Sequence, residues 1–211
     1  MKEQRLKILF NKPLNPYIYE LALECGEPMK AGQFVEIGLS GFYLKRPFSV
    51  AYQKDGATGI LYKVAGRGTK AMSELPAGEC LDVLTKLGNG FEIENSQKPL
   101  LIGGGIGIAP LYFAAKAFYE KGIRPKAVLG FRNRDEAFYI DKFQELCDVT
   151  VATDDGSLGF CANTVCALKQ LKIDFDRYFA CGPAPMLKAL WCYAKNGQLS
   201  LEARMGCGFG A

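Results

Sequence analysis

The sequence predicts an all-β unit, an antiparallel barrel over residues 1–97, followed by an α/β unit built on a parallel sheet over residues 98–200. Three observations predict this division. The first half breaks into short runs that alternate apolar with polar residues, or are β-branched and aromatic. Turn residues such as Asn15-Pro16, Ala31-Gly32 and Asp55-Gly56 separate them. From residue 98 onward, strand-like runs alternate with helix-like ones, the signature of βαβ units. At the head of that second half a glycine cluster, Gly103, Gly104, Gly105 and Gly107, joins a short apolar run, Leu100 to Ile102, to a helical pattern that carries Pro110 in its first turn.

Taken in order, the strands of the first half are expected over Arg5 to Phe10, Tyr17 to Glu24, Gln33 to Leu39, Pro47 to Gln53, Gly59 to Val64 and Cys80 to Leu84. A short helix is expected over Thr69 to Leu75, with Thr69 as N-cap and Pro76 as the stop. In the second half strands are expected over Leu100–Ile102, Ala127–Phe131, Val149–Ala152 and Tyr178–Cys181, and helices over Leu111–Lys121, Asp135–Leu146, Asn163–Leu171 and Pro185–Lys195. Ligands bind such sheets at the carboxyl ends of the strands. The loops to read are therefore Gly103–Ala109, Arg132–Asp135, Thr153–Gly159 and Gly182–Pro185.

Composition excludes several functions. The chain of 211 residues has no histidine, which removes Ser-His-Asp and Cys-His catalysis and histidine-ligated metal sites. The net charge of +4 is spread out, without the basic stripe a nucleic-acid partner requires. No apolar run approaches the ~18 residues of a membrane span, and the N-terminus has no signal-peptide h-region. The eight cysteines are scattered through apolar runs and are expected to be reduced, in a cytoplasmic protein. Cys161 and Cys166 have the C-x4-C spacing that opens a plant-type iron–sulfur motif, but they flank an expected helix start at Asn163 and are read as structural cysteines.

Three stretches carry chemistry. A strand, a glycine turn and a helix at 100–119 set bare backbone N–H groups and a positive helix end where a phosphate binds. Arg46-Pro47-Phe48-Ser49 brings a planar fork of donors to a strand, suited to a pyrophosphate. Arg46 and Ser49 have opposite strand parity, so a twist or bulge is needed for both to reach one ligand. In Tyr62-Lys63-Val64-Ala65-Gly66-Arg67-Gly68-Thr69 a strand ends in glycines and a helix begins, a second anion-binding helix start.

These motifs occur in a fixed order: Arg-Pro-Phe-Ser, Gly-x-Gly-Thr, the Leu81 to Phe91 stretch, Gly-Gly-Gly-Ile-Gly-Ile-Ala-Pro, and Cys181-Gly182-Pro183-x-x-Met186. In that order the chain resembles the ferredoxin–NADP reductase superfamily. Within it, Thr153-Asp154-Asp155-Gly156-Ser157 and the ending from Leu201 to Ala211 resemble the electron-transfer subunits of class 1B dihydroorotate dehydrogenases. The resemblance implies a ferredoxin-reductase-like fold: an FAD-binding barrel, 1–97, then a Rossmann-like NAD-binding unit, 98–200. It implies that Arg46 contacts the FAD phosphates and Ser49 the isoalloxazine edge, with the backbones of Pro47 and Phe48 lining the flavin. Lys63, Val64 and Ala65 are implied near the ribityl and adenosine part, and Gly68 and Thr69 at the pyrophosphate. NAD(H) is implied at Gly104, Gly105 and Gly107, beside Asp154, Asp155, Gly182 and Pro183. Cys181, with Ser49 one of two catalytic candidates, is implied next to the nicotinamide. The alternative for Cys181 is a buried core cysteine.

The resemblance also implies a [2Fe–2S] cluster held by four cysteines near the C-terminus. Cys207 matches the first ligand, and residues 201–211 are read as the start of an iron–sulfur tail. The chain stops where the second cysteine is expected, so the sequence is read as cut short within the motif, the alternative being loss of the cluster, and no cluster is expected in this form. Arg132 and Arg134 sit where a 2′-phosphate is received in NADP-specific relatives of such folds, which leaves NADP open beside the implied NAD.

The function implied is an FAD-dependent subunit that passes electrons from an FMN-containing dihydroorotate dehydrogenase subunit, as a heterotetramer, to NAD in pyrimidine synthesis. A stand-alone NAD(P)H-dependent flavin or ferredoxin reductase, and a non-catalytic nucleotide-binding module, are the competing readings. The first would turn over small acceptors without a partner. The second would show no spectral change with NADH.

Overall fold

A computed structural model describes residues 2–200. Six antiparallel strands close into a barrel: β1 (Lys2–Pro13), β2 (Ile18–Glu24), β3 (Phe34–Ile37), β4 (Arg46–Lys54), β5 (Ala57–Lys63) and β6 (Cys80–Leu87), in the order β1-β2-β5-β4-β3-β6, with β6 pairing back onto β1. Their interior is supplied by residues two apart: Leu6 and Ile8, Leu21 and Leu23, Val35 and Ile37, Ile60 and Tyr62, Leu81 and Val83. This is the period-2 pattern of a strand with one face inward. In β2 and β5 the alternation is lost because their outer face is covered as well, with Ile18 and Leu61 packed into a second cluster.

The second sheet has six parallel strands in the order β10-β9-β8-β7-β11-β12: β7 (Pro99–Gly104), β8 (Lys126–Phe131), β9 (Asp148–Thr153), β10 (Phe160–Cys161), β11 (Arg177–Cys181) and β12 (Gly197–Ser200). One face carries α2 (Ile108–Glu120) and α3 (Ile140–Leu146), and the other carries α4 (Thr164–Leu171) and α5 (Ala184–Tyr193). The strand parity follows. Leu101, Leu129 and Phe179 join the α2 side, whereas Leu100, Ile102, Val128, Tyr178 and Ala180 join the α4–α5 side. Chain direction across the sheet reverses between β7 and β11, which makes their carboxyl ends the topological switch point.

α2 is the piece on which both halves rest. One apolar cluster runs from Ile18, Ala51 and Leu61 of the barrel through Ile108, Leu111 and Ala115 of α2 to Leu101 and Phe179 of the sheet. Glu20, on the outer face of β2, is buried in this seam and accepts a hydrogen bond from the Tyr52 hydroxyl at 2.7 Å.

The structure corrects several sequence expectations. The short helix α1 spans Arg67–Ser73 and is capped at Gly66. Thr69 is its third residue, and its Oγ1 accepts from the N–H groups of Ala65 (2.9 Å) and Gly66 (3.1 Å). The helix expected over Asp135–Leu146 is two pieces, a 3-10 turn Arg134–Glu136 and α3, divided at Tyr139, whose φ is 62°. Packing decides this break: the Tyr139 ring meets Tyr112 at 5.0 Å, and Phe138 meets Phe131 at 5.8 Å. β10 and β12 were not expected.

The crossing from barrel to sheet is tied by Asp176, which accepts hydrogen bonds from the Ser96 hydroxyl (2.5 Å) and the N–H groups of Gln97 (2.6 Å) and Lys98 (2.9 Å). Burial pushes this carboxyl's pKa up, but the hydroxyl and N–H donors outweigh it and hold Asp176 below the usual carboxylate range. A depressed folded pKa contributes stability that is complete above the unfolded value, about 3.9, and is lost as pH falls through the folded one. Asp176→Asn is therefore expected to cost about 1–2 kcal/mol at neutral pH and to give a shallower loss of stability below roughly pH 4. Urea midpoints of both proteins at neutral and acid pH check this; equal acid slopes would contradict it.

Candidate functional site

At the switch point the carboxyl ends of the strands open into a cleft of about 560 Å³. Its walls come from Gly104, Gly105 and Ile106 after β7, Phe131 and Arg132 after β8, Asp154 after β9, Asn163–Val165 after β10, and Gly182–Met186 after β11. Lys63 closes it from the barrel side. Three helices, α2, α4 and α5, start at or beside this cleft. The first N–H groups of a helix have no intrahelical acceptor, and its N-terminus carries positive potential. At α4 one of these donors is taken by the Asn163 side chain, which accepts from Cys166 N–H at 2.9 Å, so Asn163 caps the helix while forming part of the wall. Gly105, at φ 54° with open space where a Cβ would stand, lets the turn present its backbone to the cleft.

The expected residues divide. Gly104, Gly105, Asp154, Gly182 and Pro183 line the cleft. Gly107 does not: it is buried, and a Cβ there would lie 2.4 Å from the Cys181 carbonyl oxygen, so it serves close packing of α2 on β11. Asp155 caps its own loop, accepting from Ser157 Oγ (2.7 Å) and Ser157 N–H (3.0 Å), and these bonds hold its carboxyl below the usual range. Cys181 is wholly buried in the apolar cluster that joins α2 to the sheet, and it is Gly182 beside it that reaches the wall. Arg134 is committed, its Nε and Nη2 donating to the Ser157 carbonyl at 3.1 and 3.0 Å, which leaves Arg132 as the exposed arginine of the cleft.

On the barrel, Arg46 lies against the first turn of α1. An added Cβ on Gly68 would meet the Arg46 guanidinium at 2.1–2.4 Å. The guanidinium also stacks on Phe42 at 4.4 Å, and its Nη1 donates to the Leu44 carbonyl at 2.7 Å. Thr69 satisfies the N–H groups of Ala65 and Gly66, so the donors of Arg67, Gly68 and Thr69 remain beside Arg46 without intrahelical partners. Pro47 is exposed, while Phe48 turns inward and meets Tyr62 edge-on at 5.8 Å. Val64 donates its N–H to the Tyr17 carbonyl at 2.8 Å. Ser49 is half-buried opposite Phe34, and the β3–β4 ladder is regular from Arg46 to Ser49. The bulge of β4 comes later, between Val50 and Tyr52, so Arg46 and Ser49 keep opposite parity.

Sequence reasoning missed Glu136 and the Asn163–Val165 wall. Asn163–Val165 follows β10, a two-residue exposed strand with no periodicity to detect. Glu136 stands one residue beyond the expected loop. Cys161 and Cys166 are both exposed, and among the described residues no three acidic, cysteine or histidine side chains gather to hold a metal. Cys207 lies outside the described residues.

A closed barrel seated on a doubly wound parallel sheet, with an anion-receptive cleft at the switch point facing the barrel, defines a ferredoxin-reductase-like oxidoreductase. A solved NADH-dependent reduced ferredoxin-NADP oxidoreductase superposes with a TM-score of 0.85 at 31% identity, covering 98% of this chain and 79% of that one. No family model matches the chain. Among curated proteins, the dihydroorotate dehydrogenase B (NAD(+)) electron transfer subunit of Bacillus pumilus is 40% identical over 225 aligned residues, spanning 100% of this chain and 87% of the relative. That of Fusobacterium nucleatum is 40% identical over 201 residues, spanning 89% and 76%. The chain belongs to the family of dihydroorotate dehydrogenase B electron transfer subunits.

Proposed function

We propose that this protein carries electrons from the FMN of a dihydroorotate dehydrogenase catalytic subunit, through its own FAD, to NAD in pyrimidine synthesis, in a heterotetramer in the cytoplasm. The observation that carries this is that the switch-point cleft of the sheet is closed by the barrel itself, through Lys63, so that ligands held by the two halves meet across one seam. The exposed thiols of Cys80, Cys161, Cys166 and Cys192 suit a reducing compartment, and no helix among the described residues is long and apolar enough to cross a membrane.

Residues 1–97 form the FAD half and residues 98–200 the NAD half. The pocket between Arg46 and α1 fits a pyrophosphate: a guanidinium packed on a bare Cα, next to three helix-start N–H donors. There Arg46, Gly68 and Thr69 hold the phosphates. Pro47, Phe48 and Ser49 run along the flavin, and Val64 and Ala65 border its ribityl and adenosine part, whereas Lys63, expected with them, lines the cleft of the sheet instead. In the cleft Gly104 and Gly105 give their backbones to the NAD pyrophosphate, and Asp154, Gly182 and Pro183 border the rest. Arg132 is the cation that receives the nucleotide, as NAD in keeping with the relatives' name. When both are bound, nicotinamide and flavin supply the hydride chemistry. The protein's part is to hold the two rings in contact and exclude water. Ser49 shapes the flavin edge, and buried Cys181 sets the floor under Gly182. The family's [2Fe–2S] cluster would use Cys207 as one ligand, and the flavin and nicotinamide reading stands apart from it.

The test is the visible spectrum of the purified chain before and after anaerobic NADH, followed by mixing with the FMN subunit and dihydroorotate. A flavin band that bleaches with NADH, and a stable complex with the FMN subunit, are expected. Fast turnover with small acceptors and no complex would favour a stand-alone reductase. A protein colourless even with added FAD would remove both.

A further inference from the structure

Lys63 and Glu136 form an ion pair at 2.8 Å between the last residue of β5 and the 3-10 turn after β8, and both line the cleft. Their side chains are 34% and 21% exposed, so the pair is half-sheltered. It is one of two direct ion pairs, among the described residues, that join a barrel strand to elements beyond β7. The other, Lys142 to Glu20, is at 4.0 Å. The cleft's charged lining is balanced: Lys63 and Arg132 against Glu136 and Asp154. An anionic dinucleotide therefore enters a wall whose one sheltered ammonium is already held by a carboxylate.

We propose that Lys63–Glu136 is a competed pair. Lys63 leaves Glu136 for an anionic group of the dinucleotide, so that filling the cleft releases the barrel strand from the 3-10 turn. Glu136 thereby lowers nucleotide affinity and couples occupancy of the cleft to the barrel–sheet junction. This rests on the cleft being the nucleotide site. A simple clamp predicts the opposite sign for one variant. If the pair only fastened the two halves, removing either partner would weaken binding. If it is competed, removing the carboxylate frees Lys63 for the ligand and strengthens binding.

The experiment is calorimetric titration of the full, flavin-loaded chain with ADP-ribose, which carries the pyrophosphate but no nicotinamide and so causes no reduction. Glu136→Gln keeps the side chain's shape, and the 3-10 turn stays held by Asn133 Oδ1, which accepts from Glu136 N–H at 2.9 Å. It is expected to tighten ADP-ribose by about fivefold, and Lys63→Gln to weaken it by about fivefold, the scale of a partly exposed charge pair. The double variant is expected to bind like Lys63→Gln, about fivefold weaker than wild type, since removing the carboxylate helps only by freeing Lys63. Unchanged or weaker binding by Glu136→Gln, with normal flavin content and melting, overturns the proposal. A wild type that holds flavin but does not bind ADP-ribose overturns the reading of the cleft, and this inference with it.

Discussion

Gly107→Ala is expected to destabilise the chain by about 3 kcal/mol or more, the upper range of overpacking effects. An added Cβ would lie 2.4 Å from the Cys181 carbonyl oxygen, 2.5 Å from its carbonyl carbon and 2.7 Å from the Gly182 Cα. All three are backbone atoms, and the parallel ladder that pairs Cys181 with Gly103 holds them in place. No side chain is available to swing aside, so α2 must lift from β11. Because α2 also carries the apolar seam to the barrel, the disturbance reaches both halves. Gly105→Ala is the contrast. Its Cβ meets nothing within 4 Å, and only the left-handed backbone at φ 54° resists it, at about 1–2 kcal/mol. Urea midpoints of the two variants separate contact from conformation. A Gly107→Ala protein as stable as Gly105→Ala would refute the close packing of α2 on β11.

Gly68→Ala is expected to leave the fold nearly unchanged while weakening flavin binding by about two orders of magnitude, the worth of a charge-assisted pair of hydrogen bonds. Here the Cβ strikes the Arg46 guanidinium, the far end of a flexible side chain, which can move away at little cost to stability. Alanine is also the better helix residue within α1. What is lost is the guanidinium's position between Phe42 and the first turn of α1. Arg46→Ala should match it, and the double variant should be no worse than either, since both remove one contact. Flavin retained after gel filtration, measured beside the melting curve, reads the two effects separately. Full flavin content in Gly68→Ala would sink the assignment of this pocket.

The glycines show how far residue type alone reaches. A run of glycines between a strand and a helix announces an anion-binding turn, and Gly104 and Gly105 do line the cleft. Gly107 belongs to the same run, yet its reason is the approach of another strand 74 residues later in the chain. The paired acids divide in the same way. Asp154 faces the cleft, while Asp155 is spent on Ser157, two residues ahead. Of the two arginines, Arg132 lines the cleft and Arg134 is bound to Ser157 across the loop between strands.

Local rules were enough for what depends on local rules. Alternation at period 2, breaks at turn residues, and the later switch between strand and helix patterns determined a barrel followed by a parallel α/β sheet, because each strand or helix must bury its own apolar face. They also determined which loops would stand at the carboxyl ends of the strands. Tertiary structure alone decided that β2 and β5 are buried on both faces, that the helix after β8 breaks at Tyr139, and that Lys63 of the barrel pairs with Glu136 across the cleft. Each of these depends on which surface lies opposite. That is set by chain closure over long sequence separations, where side-chain chemistry makes many pairings available and packing selects one.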